Sequence, residues 1–243
     1  MRVKQHIKEY KRELILKNAL ELFSEKGFQK TTIDDIGGSL GVTKPFIYTY
    51  FDSKYSILEQ LYDRAYRDLH TGILEILNAE EGGPAERLRR VVRLYVEENI
   101  ERQKLTAIML EEERNLAPKK RAEVRRKHRE FDSKLTSLIE EGVAAGEFKV
   151  ADPKLASLAI SGMVRWMHRW YSPEGRLAPV ELAARMSDLA LNIVGCSLSS
   201  PVKRERKGTH AQHGGGEGAS SGNGVRIEKS PLTQPLPLRG RGG

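Results

Sequence analysis

The chain has 243 residues, 39% of them hydrophobic and 30% charged, enough for one large or two small soluble domains, and its formal charge is +8. No apolar run reaches the roughly 18–20 residues needed to cross a bilayer, and the opening MRVKQHIKEYKRE lacks the apolar centre of a secretory signal. The single cysteine, Cys196, excludes an internal disulfide framework and fits a reducing, cytoplasmic setting; within LALNIVGCSL it reads as a structural thiol.

Leu14, Ile15, Ala19, Leu22 and Phe23 form an apolar stripe that predicts a first helix of about 15 residues, closed by Lys26-Gly27 with Phe28 beyond. A second, short helix begins at Thr32, an N-cap with Asp35 at capping-box spacing, and places Ile33, Ile36 and Leu40 on one face. Gly37-Gly38 inside it costs roughly 1 kcal/mol per residue against alanine. Gly41 suits the turn that follows because it accepts a positive φ, and Val42 plugs the angle between the helices. Thr43 is the next N-cap, and Pro45 falls in a first turn, where a missing N–H matters little. In that third helix Ile47 and Phe51 face inward, leaving Lys44, Phe46, Tyr48, Thr49 and Tyr50 outside. Hydroxyls, one cation and aromatic rings are groups that hold phosphates, read base edges or press on a thymine methyl.

With FSEKGFQKTT at 23–32 and GVTKPFIYTYFDSK at 41–54, this stretch resembles the DNA-binding domain of the TetR family of bacterial transcriptional regulators. The resemblance implies an all-α fold: an N-terminal three-helix helix-turn-helix domain over 1–54, then a helical ligand-binding and dimerisation domain over 55–200. It implies that Thr32 holds a phosphate, that Thr43, Tyr48, Tyr50 and Lys54 clamp the DNA backbone, that Lys44, Pro45 and Phe46 lie nearest the bases, and that Thr49 belongs to the same DNA-binding face. Pro45 stands where the family often has glycine and Tyr50 where it often has histidine, so base preference does not transfer. The implied function is a cytoplasmic homodimeric repressor released from a palindromic operator by a small ligand. The competing expectations are a ligand-binding helical protein without sequence-specific DNA binding, and a regulator of drug efflux.

The rest of the chain reads as helices. One runs from Ser53 or Lys54 to about Ala79, Pro84 opens the next, and Leu105, Ile108 and Met109 begin a shorter one. Pro118 opens a long helix to about Ala145, Asp152-Pro153 opens one that closes at Ser172-Pro173-Glu174-Gly175, and Pro179 to Cys196 is the last. No strand pattern appears. The residues Gly162, Met163, Trp166, Trp170, Tyr171, Pro173 and Gly175 resemble a TetR subgroup that responds to acyl-CoA thioesters in fatty-acid and steroid breakdown. An acyl-CoA needs an apolar tunnel and cations for its phosphates; Tyr95, Met109, Phe131 and Trp166 are the candidate lining, and the cation run Lys119 to Arg129 the candidate phosphate site.

Residues 201–243 hold eight Lys/Arg against three Glu, so five of the eight net charges sit there, among ten of the 22 glycines and no aromatic residue. This composition predicts a disordered basic tail. It adds nonspecific DNA affinity or, since SPLTQPLPLRGRGG resembles a translated bacterial intergenic repeat, is a read-through extension. Enzyme chemistry finds no support: His6, His70, His128 and His168 have no His or Cys partner at ligand spacing, and no nucleophile has a base. No cofactor or metal is expected.

Overall fold

A computed structural model describes residues 2–79 and 81–196, and every regular element among them is helical. The tail predicted at 201–243 lies outside the described residues. The helices are α1 (Arg2–Lys26), α2 (Ile33–Ser39), α3 (Lys44–Tyr48), α4 (Lys54–Asn78), α5 (Pro84–Glu101), α6 (Gln103–Glu111), α7 (Pro118–Ala144), α8 (Pro153–Arg165) and α9 (Pro179–Ile193). Proline opens α5, α7, α8 and α9, where its missing N–H falls among groups that have no intrahelical partner anyway.

Two corrections concern helix limits. α1 has 25 residues, about ten more than the apolar stripe predicted. Its first turns bury little, and Val3, Ile7 and Tyr10 are exposed. The stretch before Ile15 contains no glycine or proline to stop the helix, and a reading keyed to burial sees only the buried half. The helix expected to run from Asp152 to Ser172 instead ends at Arg165 and tightens into a 3-10 turn over Trp166–Arg169.

Two apolar cores are built on this frame. One gathers Ile15, Phe23, Phe28, Ile36, Ile47 and Phe51 from α1 to α3 with Ile57 to Tyr66 of α4, and extends to Leu105, Ile108 and Met109 of α6. The other joins α5, α7, α8 and α9 around Leu88, Val92, Leu135, Ile139, Ile160 and Ala190. The first core therefore does not stop at residue 54; it runs through α4 into α6. Tyr62, fully buried, donates its hydroxyl to the Met109 carbonyl at 2.6 Å and ties the two helices together.

Candidate nucleic-acid interface and ligand cavity

Thr32 caps α2 as expected: its hydroxyl accepts from Asp35 N at 3.1 Å and donates to Asp35 Oδ2 at 2.6 Å, and its backbone N–H donates to the same oxygen at 2.8 Å, completing a reciprocal capping box. Those bonds hold the Asp35 carboxyl down at about 2. The tight turn to α3 explains one of the two glycines. A Cβ on Gly37 would stand 2.8 Å from the Val42 carbonyl oxygen, while the Gly37 carbonyl accepts from Val42 N at 2.9 Å. Gly38 faces open space. Gly41, at φ 66°, makes the left-handed step that redirects the chain.

α3 is short, five residues, and is held by Ile47 and Phe51, which are buried. Arg12 of α1 secures its far end, with its guanidinium 4.7 Å from the Phe51 ring centre and Nη1 donating to the Tyr50 carbonyl at 3.2 Å. Thr43, Lys44, Pro45, Tyr48 and Thr49 are all exposed on one continuous surface. The Thr43 hydroxyl makes no capping bond and is exposed. Lys44 pairs with Asp34 at 2.8 Å across the turn, a contact between exposed groups that a phosphate or a base edge can displace at small cost. Thr49 donates back to the Phe46 carbonyl at 2.7 Å. Phe46 and Tyr50 are half-buried and pack ring against ring at 5.2 Å, so both present edges where full outward exposure was expected.

Lys54 requires a correction. Its ammonium donates to the carbonyls of Phe28 at 2.7 Å, Thr31 at 2.8 Å and Gln29 at 3.2 Å, and lies 4.5 Å from the Phe28 ring centre. An ammonium has three protons, and all three are committed to the turn between α1 and α2. Burial lowers its pKa, with the Glu112 charge acting in the opposite direction. In this arrangement Lys54 braces the domain and has no donor left for phosphate. The sequence reading missed Lys4, Lys8 and Lys11 of α1, which share a face at helical spacing. Lys4 and Lys8 are exposed, and Lys11 places its ammonium 5.6 Å from the Phe46 ring centre, beside α3. The missing signal was the unbroken helix upstream of Ile15.

In the C-terminal half, Tyr95, Met109 and Phe131 come together around a small cavity of about 50 Å³ between α4, α5, α6, α7 and α8. Trp166 does not join them. Ile160, Val164 and Met167 take the inward phase of α8 and its continuation, which puts Trp166 on the opposite face, 60% exposed, with Trp170 likewise at 51%. Arg165, Tyr66, His128, Asn99 and Thr106 line the cavity instead and were not foreseen there. Tyr66 Oη and His128 Nε2 share a hydrogen bond of 2.6 Å; burial, then the Arg165 charge, pushes the His128 pKa down. Of the cation run on α7, Lys120 pairs with Asp63 and Glu123, Arg121 donates to the Arg114 and Leu116 carbonyls, and Arg125 pairs with Glu113. Lys127 pairs with Glu123 and sits over the Tyr66 ring. Most of that run is therefore spent holding α7 to its neighbours.

A helix-turn-helix carried on a helical body with an internal cavity defines a ligand-responsive class of DNA-binding regulators. Residues 15–61 match the family described as bacterial regulatory proteins, tetR family, and residues 81–194 match the tetracyclin repressor-like C-terminal domain. The chain belongs to the TetR family of transcriptional regulators. The repressor KstR2 of Mycolicibacterium smegmatis is 25% identical over 198 residues, 79% of this chain and 94% of that protein. The biofilm operon regulator IcaR of Staphylococcus aureus is 51% identical over 49 residues, so the chain matches about a quarter of it, 26% of its length against 20% of this chain. The crystal structure of PfmR, a TetR family regulator from Thermus thermophilus, superposes with a TM-score of 0.68 at 30% identity, covering 73% of this chain and 97% of that one. AibR, solved in complex with isovaleryl coenzyme A and operator DNA, shares the fold with a TM-score of 0.67 at 23% identity, covering 73% of this chain and 96% of that one.

Among the described residues no helix is long and apolar enough to cross a membrane.

Proposed function

We propose that the chain is a homodimeric repressor whose two α3 helices read a palindromic operator and which leaves DNA when a small ligand, an acyl-CoA thioester, fills the cavity. The observation that carries this reading is the position of α6. Its Thr106, Met109 and Leu110 line the cavity, while Lys104 on the same helix pairs with Glu21 of α1, the helix that supports α3. A ligand that moves α6 thus acts on the DNA-reading surface through contacts already made.

Dimerisation is supported by an unpartnered apolar stripe. Leu155 and Leu158 on α8 and Val180, Leu189 and Ile193 on α9 are exposed large apolar side chains, a set suited to a partner surface. In the DNA-bound dimer the two α3 helices would lie about 34–36 Å apart, one turn of B-DNA. Thr43, Lys44, Pro45, Phe46, Tyr48 and Tyr50 are the proposed contacts from α3 and its flanks, and Lys4, Lys8 and Lys11 extend the phosphate track along α1; the Thr32 hydroxyl and N–H are committed to Asp35 and the Thr49 hydroxyl to the Phe46 carbonyl, so both lie on this face without a donor for phosphate.

The thioester assignment is supported by the apolar walls Ile73, Met109, Leu110 and Phe131, and by a surface groove that shares Leu110 and Arg165 with the cavity. That groove carries Arg114, Arg169 and the Trp166 ring, groups suited to phosphates and a purine, beside Glu111 and Glu112; Arg169 pairs with Glu111 at 2.8 Å, an exposed contact that a phosphate would have to displace. The isovaleryl coenzyme A bound by AibR is compatible with this arrangement. The test is release of the chain's own upstream DNA in a gel shift. Acyl-CoA at its binding concentration should lower DNA affinity by the same factor by which DNA lowers acyl-CoA affinity. Full DNA binding in the presence of saturating acyl-CoA would end the reading.

A further inference from the structure

The polar side of the cavity carries more hydrogen-bond donors than the protein itself uses. Arg165 Nε donates to Tyr95 Oη at 3.1 Å and Nη2 donates to Asp132 Oδ1 at 3.1 Å, so two sides of the guanidinium are fixed and Nη1 finds no acceptor among the described residues. Because Tyr95 Oη accepts from Arg165, its own proton points elsewhere. Thr106, 6% exposed, lines the same cavity with a buried hydroxyl that has no partner. Threonine in a helix normally returns its hydroxyl to the carbonyl four residues back. Here the Arg102 carbonyl takes only the Thr106 N–H, at 2.9 Å. An unpaired buried hydroxyl is costly, and native interiors rarely keep one without a reason.

Three donors around apolar walls call for an acceptor oxygen, and charge decides which kind. Asp132 already neutralises Arg165 at 3.1 Å, so a ligand carboxylate would enter as a second anion beside one cation, while a neutral carbonyl adds no charge to desolvate. The thioester carbonyl common to every acyl-CoA accepts at most two hydrogen bonds, fewer than the three donors present. We infer that the acyl chain of the effector bears a further neutral oxo group, so that Thr106, Tyr95 and Arg165 are all satisfied, and that the regulator therefore distinguishes oxoacyl from plain alkyl acyl thioesters. This rests on the thioester reading above and adds the chemistry of the acyl group.

Three four-carbon thioesters separate the outcomes: acetoacetyl-CoA with the oxo group, butyryl-CoA without it, and succinyl-CoA with a carboxylate. Calorimetric titration of the full chain should give acetoacetyl-CoA about ten-fold tighter binding than either of the others, the worth of one or two net hydrogen bonds. Thr106→Val keeps the shape and removes the hydroxyl. It should leave the ligand-free melting temperature unchanged or raised and reduce the preference for acetoacetyl-CoA over butyryl-CoA several-fold. Thr106→Ser, which keeps the hydroxyl, should retain the preference. Equal binding of acetoacetyl- and butyryl-CoA would overturn the inference and leave the thioester reading standing, as would tightest binding of succinyl-CoA. A Thr106→Val protein that melts lower yet keeps the preference would make the hydroxyl structural and likewise overturn it. Failure of all three to bind would remove the thioester reading and this inference together.

Discussion

Replacing Lys54 with methionine keeps the apolar stem and deletes the ammonium, so it separates bracing from phosphate contact. The ammonium closes the α1–α2 turn through three carbonyls at 2.7, 2.8 and 3.2 Å and stands over the Phe28 ring. Hydrogen bonds to a charged donor contribute about 1.5–3 kcal/mol each when fully buried, but this group is partly solvated and water can reach the freed carbonyls. A net loss of about 2 kcal/mol is expected, which for a domain pair of this size lowers the melting temperature by about 4–8 °C. Circular dichroism melting of the full chain measures that directly. Below the transition, the dependence of operator affinity on salt should match the parent protein, because no phosphate contact has been lost. An unchanged melting temperature with a salt slope reduced by about one per half-site would refute the bracing role and restore the phosphate contact.

Further outcomes follow from the same geometry. Changing Lys4, Lys8 and Lys11 together to alanine should weaken operator and random DNA alike and reduce the salt slope by up to about three per protomer; a filter-binding salt titration with no change in slope would place α1 away from the DNA. Lys44→Ala should cost roughly 1–3 kcal/mol on the operator and relax discrimination there, and equal losses on operator and random DNA would remove its base-reading role. Trp166→Ala should leave the fold intact, since the ring is exposed, while weakening acyl-CoA binding through the lost purine platform in a calorimetric titration; unchanged acyl-CoA affinity would exclude Trp166 from the ligand groove. Because the folded protein holds His128 below its ordinary pKa of 6.5, the unfolded chain binds more protons there, so stability is fully present above that pH and declines as pH falls below it towards the folded value. His128→Gln should flatten this decline, and an unchanged pH dependence of melting would show that His128 does not contribute it.

The DNA-binding domain was largely legible because local rules act in register there: a capping box at Thr32, a positive φ at Gly41 and the inward pair Ile47 and Phe51; Gly37 read only as a cost to the helix, because the Val42 carbonyl that it must clear is brought there by the folded turn. Lys54 was not legible, because its partners are carbonyls more than twenty residues away that only the folded turn assembles. The cavity was half legible. Tyr95, Met109 and Phe131 lie on predicted inward faces, whereas Trp166 was assigned by side-chain type against its helical phase. Arg165, Asp132 and Thr106 escaped notice since a charged or hydroxyl residue on an inner face signals a site only once its neighbours are known.

The most direct measurement is hydroxyl-radical footprinting of the full chain on the DNA upstream of its own gene at physiological salt with excess random competitor. The account predicts protection of two half-sites related by a dyad, with centres one helical turn apart, and loss of that protection when Lys44 and Tyr48 are both replaced by alanine. Protection without sequence preference over the competitor, or an undiminished footprint from the double variant, would contradict the assignment of α3 as the element that reads the operator.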